Sequence, residues 1–172
     1  MNLQSPTNAP GYFQRYIDLV PTSNPITALS VQIPEMNNLL ASIDEAGSLK
    51  AYAPEKWTLR ELLQHLIDAE RIFGYRALCF ARGESANLPS FDEDGYATAS
   101  QANRRSWTDL VLEMQTIRTT TLQLFQSFSG EMLLHTGSSG ANTYHAGQLG
   151  LIIAGHWEHH ARIIRERYLP VL

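Results

Sequence analysis

Histidine is the residue type that stands out for chemistry in this chain, and two of the six histidines repeat at helical spacing. On a wheel at about 100° per residue, Leu149, Ile152, Ile153, Ile163 and Ile164 define one apolar stripe, with His156 and His160 in its middle. Residues four apart stack one turn apart on the same face, about 6 Å along the axis. Neutral imidazoles buried in such a stripe must satisfy their ring nitrogens, and one shared metal ion does so for both. The competing reading makes them core histidines bonded to neighbouring side chains.

His159 falls off the stripe and reads as flank or surface, and His135 belongs to a loop. His145 precedes His156 by 11 residues, about 16 Å along a straight helix, too far to share an ion with the pair. On an earlier predicted helix, Leu59, Leu62, Leu63, Leu66, Ile67 and Phe73 mark the core side. His65 lies on the flank of that stripe, where it can turn into a groove between two helices. The expected ligand set is therefore His65, His156 and His160. Three protein nitrogens with an open fourth position make a catalytic arrangement. The ion would lower the pKa of water, or of a bound thiol, held in the open position. Imidazoles accept zinc, nickel, copper and iron alike, so these ligands do not select the metal.

Other chemistries are excluded by spacing. His156-Trp157-Glu158-His159-His160 is neither H-E-x-x-H nor H-x-x-E-H, so a zincin protease is rejected. There is no glycine-rich phosphate loop and no Gly-x-Ser-x-Gly elbow. Glu70 falls at the centre of its helix's apolar stripe, where a lone carboxylate is costly. Arg167 holds the same position on the last helix, which predicts a buried Glu70–Arg167 ion pair. Tyr75, Asp92 and Asp94 are candidate substrate contacts, the two acids from the segment Phe91-Asp92-Glu93-Asp94-Gly95-Tyr96.

Four predicted helical stretches must position these groups. Pro25 opens the first, to about Asp44, and Pro34 should kink or split it. Thr58, with Glu61 three residues on, makes a capping box for the second, Leu59 to Ala81. A long loop over 84–101 follows. Ser106 opens the third, to about Phe128, and Asn142 or Thr143 caps the last, to about Tyr168. With no strand pattern of comparable strength, the fold class is all-α, an antiparallel four-helix bundle in a single domain over 1–172, with about 1–20 an N-terminal extension. Gly147, Gly150 and Gly155 cost the last helix propensity, which predicts close approach by a neighbour.

Composition sets the outer limits. Apolar residues are 44% and charged residues 17%, enough for a sizeable core. Thirteen Lys plus Arg against 17 Asp plus Glu give a net charge of -4, which argues against nucleic acid as a partner. Cys79 stands alone, so no intrachain disulfide forms. No apolar run reaches the roughly 20 residues of a membrane helix, and Met1 to Pro10 lacks the pattern of a signal peptide. The expected location is cytoplasmic, with no membrane partner.

Longer motifs carry a family resemblance. Tyr52-Ala53-Pro54-x-Lys56-Trp57-Thr58 is followed by Glu61-Leu62-x-x-His65-Leu66-Ile67-Asp68-x-Glu70-Arg71-Ile72. The chain ends with Ile153-Ala154-Gly155-His156-x-x-His159-His160-x-x-Ile163-x-x-Glu166-Arg167-Tyr168-Leu169. With Phe91-Asp92-x-Asp94-x-Tyr96 between them, these resemble the DinB superfamily, particularly its YfiT-like branch, from about Val20 to Leu169. The resemblance implies a four-helix bundle with a metal on His65, His156 and His160, zinc or nickel in most relatives. It also implies a homodimer and a small-molecule substrate. Its expected activities are metal-dependent hydrolysis or S-transfer and isomerisation with a low-molecular-weight thiol such as bacillithiol or mycothiol. The alternative is a non-catalytic, metal- or ligand-binding stress-response bundle. Trp157 departs from the pattern, and its bulky ring beside His156 is expected to narrow the pocket.

Overall fold

A computed structural model describes residues 11–172; residues 1–10, the first half of the expected N-terminal extension, lie outside the described residues. The helices are α1 (Gly11–Ile17), α2 (Pro25–Val31), α3 (Ile33–Ala41), α4 (Leu59–Ala81), α5 (Glu93–Ser100), α6 (Trp107–Gln126) and α7 (Ala146–Ile163). Two short strands, β1 (Thr136–Ser139) and β2 (Asn142–His145), pair antiparallel, with Thr136 opposite His145 and Ser139 opposite Asn142. The strictly all-α expectation is corrected by this hairpin, which also moves the start of the last helix from Asn142 or Thr143 to Ala146.

Local chemistry explains most of the boundaries. Asn24 Oδ1 accepts from the Ile26 and Thr27 amides at 2.9 and 3.1 Å, with Pro25 at the first helical position. The next helix starts afresh around Pro34, so the predicted first helix is split into α2 and α3. Thr58 and Glu61 form the expected capping box: the Glu61 amide donates to Thr58 Oγ1 and the Thr58 amide to Glu61 Oε2. Ser106 caps α6 through the Asp109 amide. Within the expected loop over 84–101, Asp92 caps a helix the sequence reading did not anticipate, α5, through the Gly95 amide.

The four long components form the bundle: α2–α3, α4, α6 and α7. Both α2 and α4 make their main contacts with α6 and α7, so helices consecutive in the chain occupy opposite corners at α3→α4 and α6→α7. Two apolar clusters fill the interior. One gathers Ala69–Ala81 of α4, Leu149–Ala154 of α7, α1 and α2. The other gathers Leu59–Ile67 of α4, Trp157 and Ala161 of α7 with Ile164 just beyond it, α3 and the start of α6. On α7 His156 sits at the seam between the two, and on α4 His65 lies within one turn of it.

The predicted close approach on α7 is real at two glycines. A Cβ at Gly155 would stand 1.9 Å from the Tyr16 carbonyl oxygen, and one at Gly150 would stand 2.7 Å from Pro25 and Phe125. Thus α1, from the segment expected to be an extension, lies backbone to backbone on α7, with Tyr16 and Ile17 buried.

Candidate metal centre

His65 enters the seam from α4, and His156 and His160 enter it from successive turns of α7. Their Nε2 atoms converge: His156 Nε2 lies 3.1 Å from His65 Nε2 and 3.1 Å from His160 Nε2. All three ligand atoms fall within 4.8 Å of one another. Neighbouring rings hold these orientations. Trp57 packs on His65 at 4.9 Å between centroids, and Tyr16 on His156 at 5.1 Å.

Burial makes the cluster neutral. Desolvation lowers the His65 pKa to about 4, against a small opposing pull from Asp94, and lowers that of His160 to about 3. His156 too is held well below the ordinary range, by desolvation first and then by its neighbours His160 and His65. Three neutral imidazoles with converging Nε2 atoms are a poor hydrogen-bond arrangement, since one proton can bridge only one pair. They are a good donor set for a cation. In a tetrahedral shell with metal–nitrogen bonds near 2.0–2.1 Å, ligand nitrogens stand about 3.3 Å apart, close to the two 3.1 Å separations here. The residues therefore fit a divalent ion bound on one side by protein and open on the other.

The open side faces a cavity of about 310 Å³. Its floor is the histidine cluster, and its walls come from α1, Trp57, α4, the start of α5 and the β1–β2 hairpin. Phe73 spans the floor and one wall, with its ring centroid 6.4 Å from that of His156. His159, read as flank or surface, is half-buried and also lines the cavity, 5.5 Å from Tyr16 between ring centroids.

Several expected roles are revised. Glu70 is buried, but its partner is Arg118 of α6 rather than Arg167. Arg118 Nε and Nη2 donate to the Glu70 carboxylate at 3.0 and 2.9 Å, and both side chains are at most 3% exposed. Arg167 is exposed, its guanidinium 5.4 Å from the Tyr52 ring centroid. The cause is position along the bundle: α7 runs antiparallel to α4, so the residues after Ile164 lie level with Tyr52 and Trp57, about three turns from Glu70. The π-helical segment Ile164–Tyr168 turns Tyr168 rather than Arg167 inward. Tyr75 is 59% exposed and lies outside the cavity. Asp92 is the α5 cap and does not reach the lining, whereas Asp94 does. Trp157 is turned into the core beside α3 and α6, so it does not narrow the cavity.

The site residues the sequence reading missed are Tyr12, Phe13, Tyr16, Phe73, Arg76 and Tyr144. Gly155 was the available signal for the first three, because a backbone must approach it. Phe73 and Arg76 follow His65 by eight and eleven residues, spacings that keep them near its face of α4.

A bundle whose two central helices aim three neutral imidazoles into one cavity defines a class: helical proteins with a tri-histidine cluster suited to a divalent ion. The chain belongs to the DinB superfamily, whose model matches residues 28–164. Among solved structures it is similar to YfiT from Bacillus subtilis, described as a probable metal-dependent hydrolase with an unusual four-helix bundle topology. That similarity covers 85% of each chain with a TM-score of 0.74 and 15% identity, and so concerns the fold. A search of curated proteins finds no significant match.

Proposed function

We propose that the protein is a metal-dependent enzyme in which His65, His156 and His160 hold one divalent transition-metal ion, zinc or nickel. The observation that carries this reading is the convergence of three neutral Nε2 atoms on the floor of a cavity. Bound there, the ion supplies Lewis acidity that makes a water or thiol nucleophilic near neutral pH. The protein's own residues position and shield. Trp57 and Tyr16 fix two of the ligand rings, and Phe73 and Phe91 keep the floor dry. Asp94 stands at the entrance, where a carboxylate can hold a polar group of the substrate or accept a proton from it. The reaction is hydrolysis of a small molecule or transfer of a low-molecular-weight thiol to an electrophile. The reading extends, through the family resemblance, to a homodimer in the cytoplasm.

Metal content measured by mass spectrometry, on protein purified without a histidine tag, tests the centre. About one ion per chain is expected in the parent, as for a site with three protein ligands, and none in His156→Ala or His160→Ala. Full metal content in either variant would refute the ligand set. With the metal established, consumption of a thiol together with a haloarene is compared against hydrolysis of an ester panel. No turnover in either assay would move the reading to a ligand-binding bundle.

A further inference from the structure

Among the described residues three arginines are buried, and they are treated differently by their surroundings. Arg60 pairs with Glu45 and Arg118 with Glu70. Arg76 is 5% exposed, yet no carboxylate lies within ion-pair distance of it among the described residues. Its one protein acceptor there is the Pro89 carbonyl, reached by Nη2 at 2.8 Å. A guanidinium carries five N–H donors in a planar fork, so most of the fork has no acceptor in the protein. Burying such a charge without a partner is costly, and Arg76 stands in the wall of the cavity above the histidine cluster.

Its surroundings define what would complete it. The guanidinium carbon lies 5.6 Å from the Phe73 ring centroid and 5.8 Å from that of Phe91, an aromatic cleft that holds the fork in place. The same Phe73 centroid is 6.4 Å from His156, so Arg76 and the cluster are no farther apart than those two distances combined. Elsewhere the lining carries Arg15, packed over Tyr12 and Tyr16 with Nη2 donating to the Tyr16 hydroxyl, and the two acids Glu93 and Asp94, which outnumber it and disfavour a polyanion. One buried positive charge in a planar fork, with acids nearby, matches a single carboxylate rather than a phosphate dianion.

We propose that Arg76 anchors a carboxylate of the substrate, so that the site takes a small organic monoacid with an apolar body along Phe73 and its reacting centre over His65, His156 and His160. The assignment of the reacting centre rests on the metal-enzyme reading above; the carboxylate subsite does not, because Arg76 and its cleft need no ion.

The test is isothermal titration calorimetry with benzoate, phenylacetate and 3-phenylpropanoate, each against its neutral amide, on metal-free and zinc-loaded protein. In metal-free parent at least one acid is expected to bind about tenfold or more tightly than its amide. Arg76→Met should abolish that preference and Arg76→Lys should keep part of it, with zinc content unchanged in both. Equal binding of acid and amide by the parent, no binding of any acid, or an undiminished preference in Arg76→Met would overturn the proposal. Loss of zinc binding with the carboxylate preference intact would overturn the metal reading alone. The acid–amide comparison needs no variant, so a folding defect in Arg76→Met leaves the proposal open to refutation.

Discussion

Replacing Glu70 with Leu removes the one carboxylate paired with Arg118 among the described residues while leaving the guanidinium buried. Arg118 is 0% exposed and Glu70 3%, and the pair is joined through both Nε and Nη2, with Gln32 Oε1 accepting from Nη1 at 3.3 Å. In the variant the charge has no counter-ion and no route to solvent. Orphaning one member of a buried pair in this way costs about 3–5 kcal/mol. Removing both members with apolar residues of similar volume, Glu70→Leu with Arg118→Met, restores most of this, because the desolvation penalty disappears with the charges. Arg167→Met, at the position the helical repeat pairs with Glu70, should stay within about 0.5 kcal/mol of the parent, since that side chain is exposed. Urea unfolding of the four proteins supplies the comparison, read as midpoint shifts at constant slope. A cost below about 1 kcal/mol for Glu70→Leu, at the level of a single net hydrogen bond, would refute the buried-pair argument. A large cost for Arg167→Met would restore the partner expected from the sequence. Metal content should stay at the parental level in the double variant, since neither residue belongs to the histidine cluster.

Two further outcomes follow from other parts of the molecule. Gly155→Ala places a Cβ 1.9 Å from the Tyr16 carbonyl oxygen, so α1 must move off α7. A loss of about 1–3 kcal/mol is expected, with faster proteolysis within residues 11–17; parental stability and protection would contradict the backbone contact. Tyr144 is 1% exposed, and burial raises its pKa from 10 to about 12, against an opposing attraction from Arg76. The folded phenol therefore holds its proton more tightly than the unfolded one. Its contribution is fully present below pH 10 and is lost as pH rises from 10 to about 12. The ceiling is about 2.7 kcal/mol, nearer to 2 after screening through the cavity mouth. Burial also raises Tyr16 and Tyr168, so alkaline difference absorbance should show a group of late-ionising tyrosines whose amplitude falls by one tyrosine in Tyr144→Phe; an unchanged late amplitude would contradict the assignment.

The histidine cluster was legible because it depends on a local repeat. His156 and His160 share a face through one turn of helix, and His65 lies on the flank of a stripe set by Leu62, Leu66 and Ile67; none of this requires knowledge of the rest of the chain. The same repeat would have found Arg118, since Leu110, Met114, Thr121 and Phe125 mark the buried side of α6 and Arg118 lies among them. It failed at Arg167 because a wheel gives an angle and not a height: with α7 antiparallel to α4, Arg167 lies beside Tyr52, about three turns from Glu70, and the π-helical step over Ile164–Tyr168 buries Tyr168 instead. The hairpin escaped for a different reason: four residues are too few to show an alternation, and Gly137 and Asn142 offset the strand preference of Thr136, Thr143 and Tyr144. They are held by Leu88, which lies alongside β1, its amide donating to Ser138 O and its carbonyl accepting from the Gly140 amide.

The cavity, unlike its floor, is a non-local object, and that limits what a sequence can disclose about substrate. Its walls are assembled from residues 12–16, 57, 90–94 and 139–144, segments that meet only once the bundle has formed. None is long enough to show a period, so no wheel could place Tyr16 over His156 or Tyr144 near Arg76. Gly155 encodes one of these meetings as a missing Cβ, but a gap in a helix does not name the segment that fills it. Arg76 is the sharper case. In sequence it is one arginine among many, in a chain whose acids outnumber its bases, and pairing with an acid is the default expectation. Whether a buried guanidinium has found a carboxylate is decided by the placement of every acid around it. For Arg60 and Arg118 that placement supplies one, and for Arg76 it does not. The histidine cluster is thus written in helical spacing, whereas the charge in the cavity wall is decided only by folding, which leaves Arg76 without a carboxylate partner among the described residues.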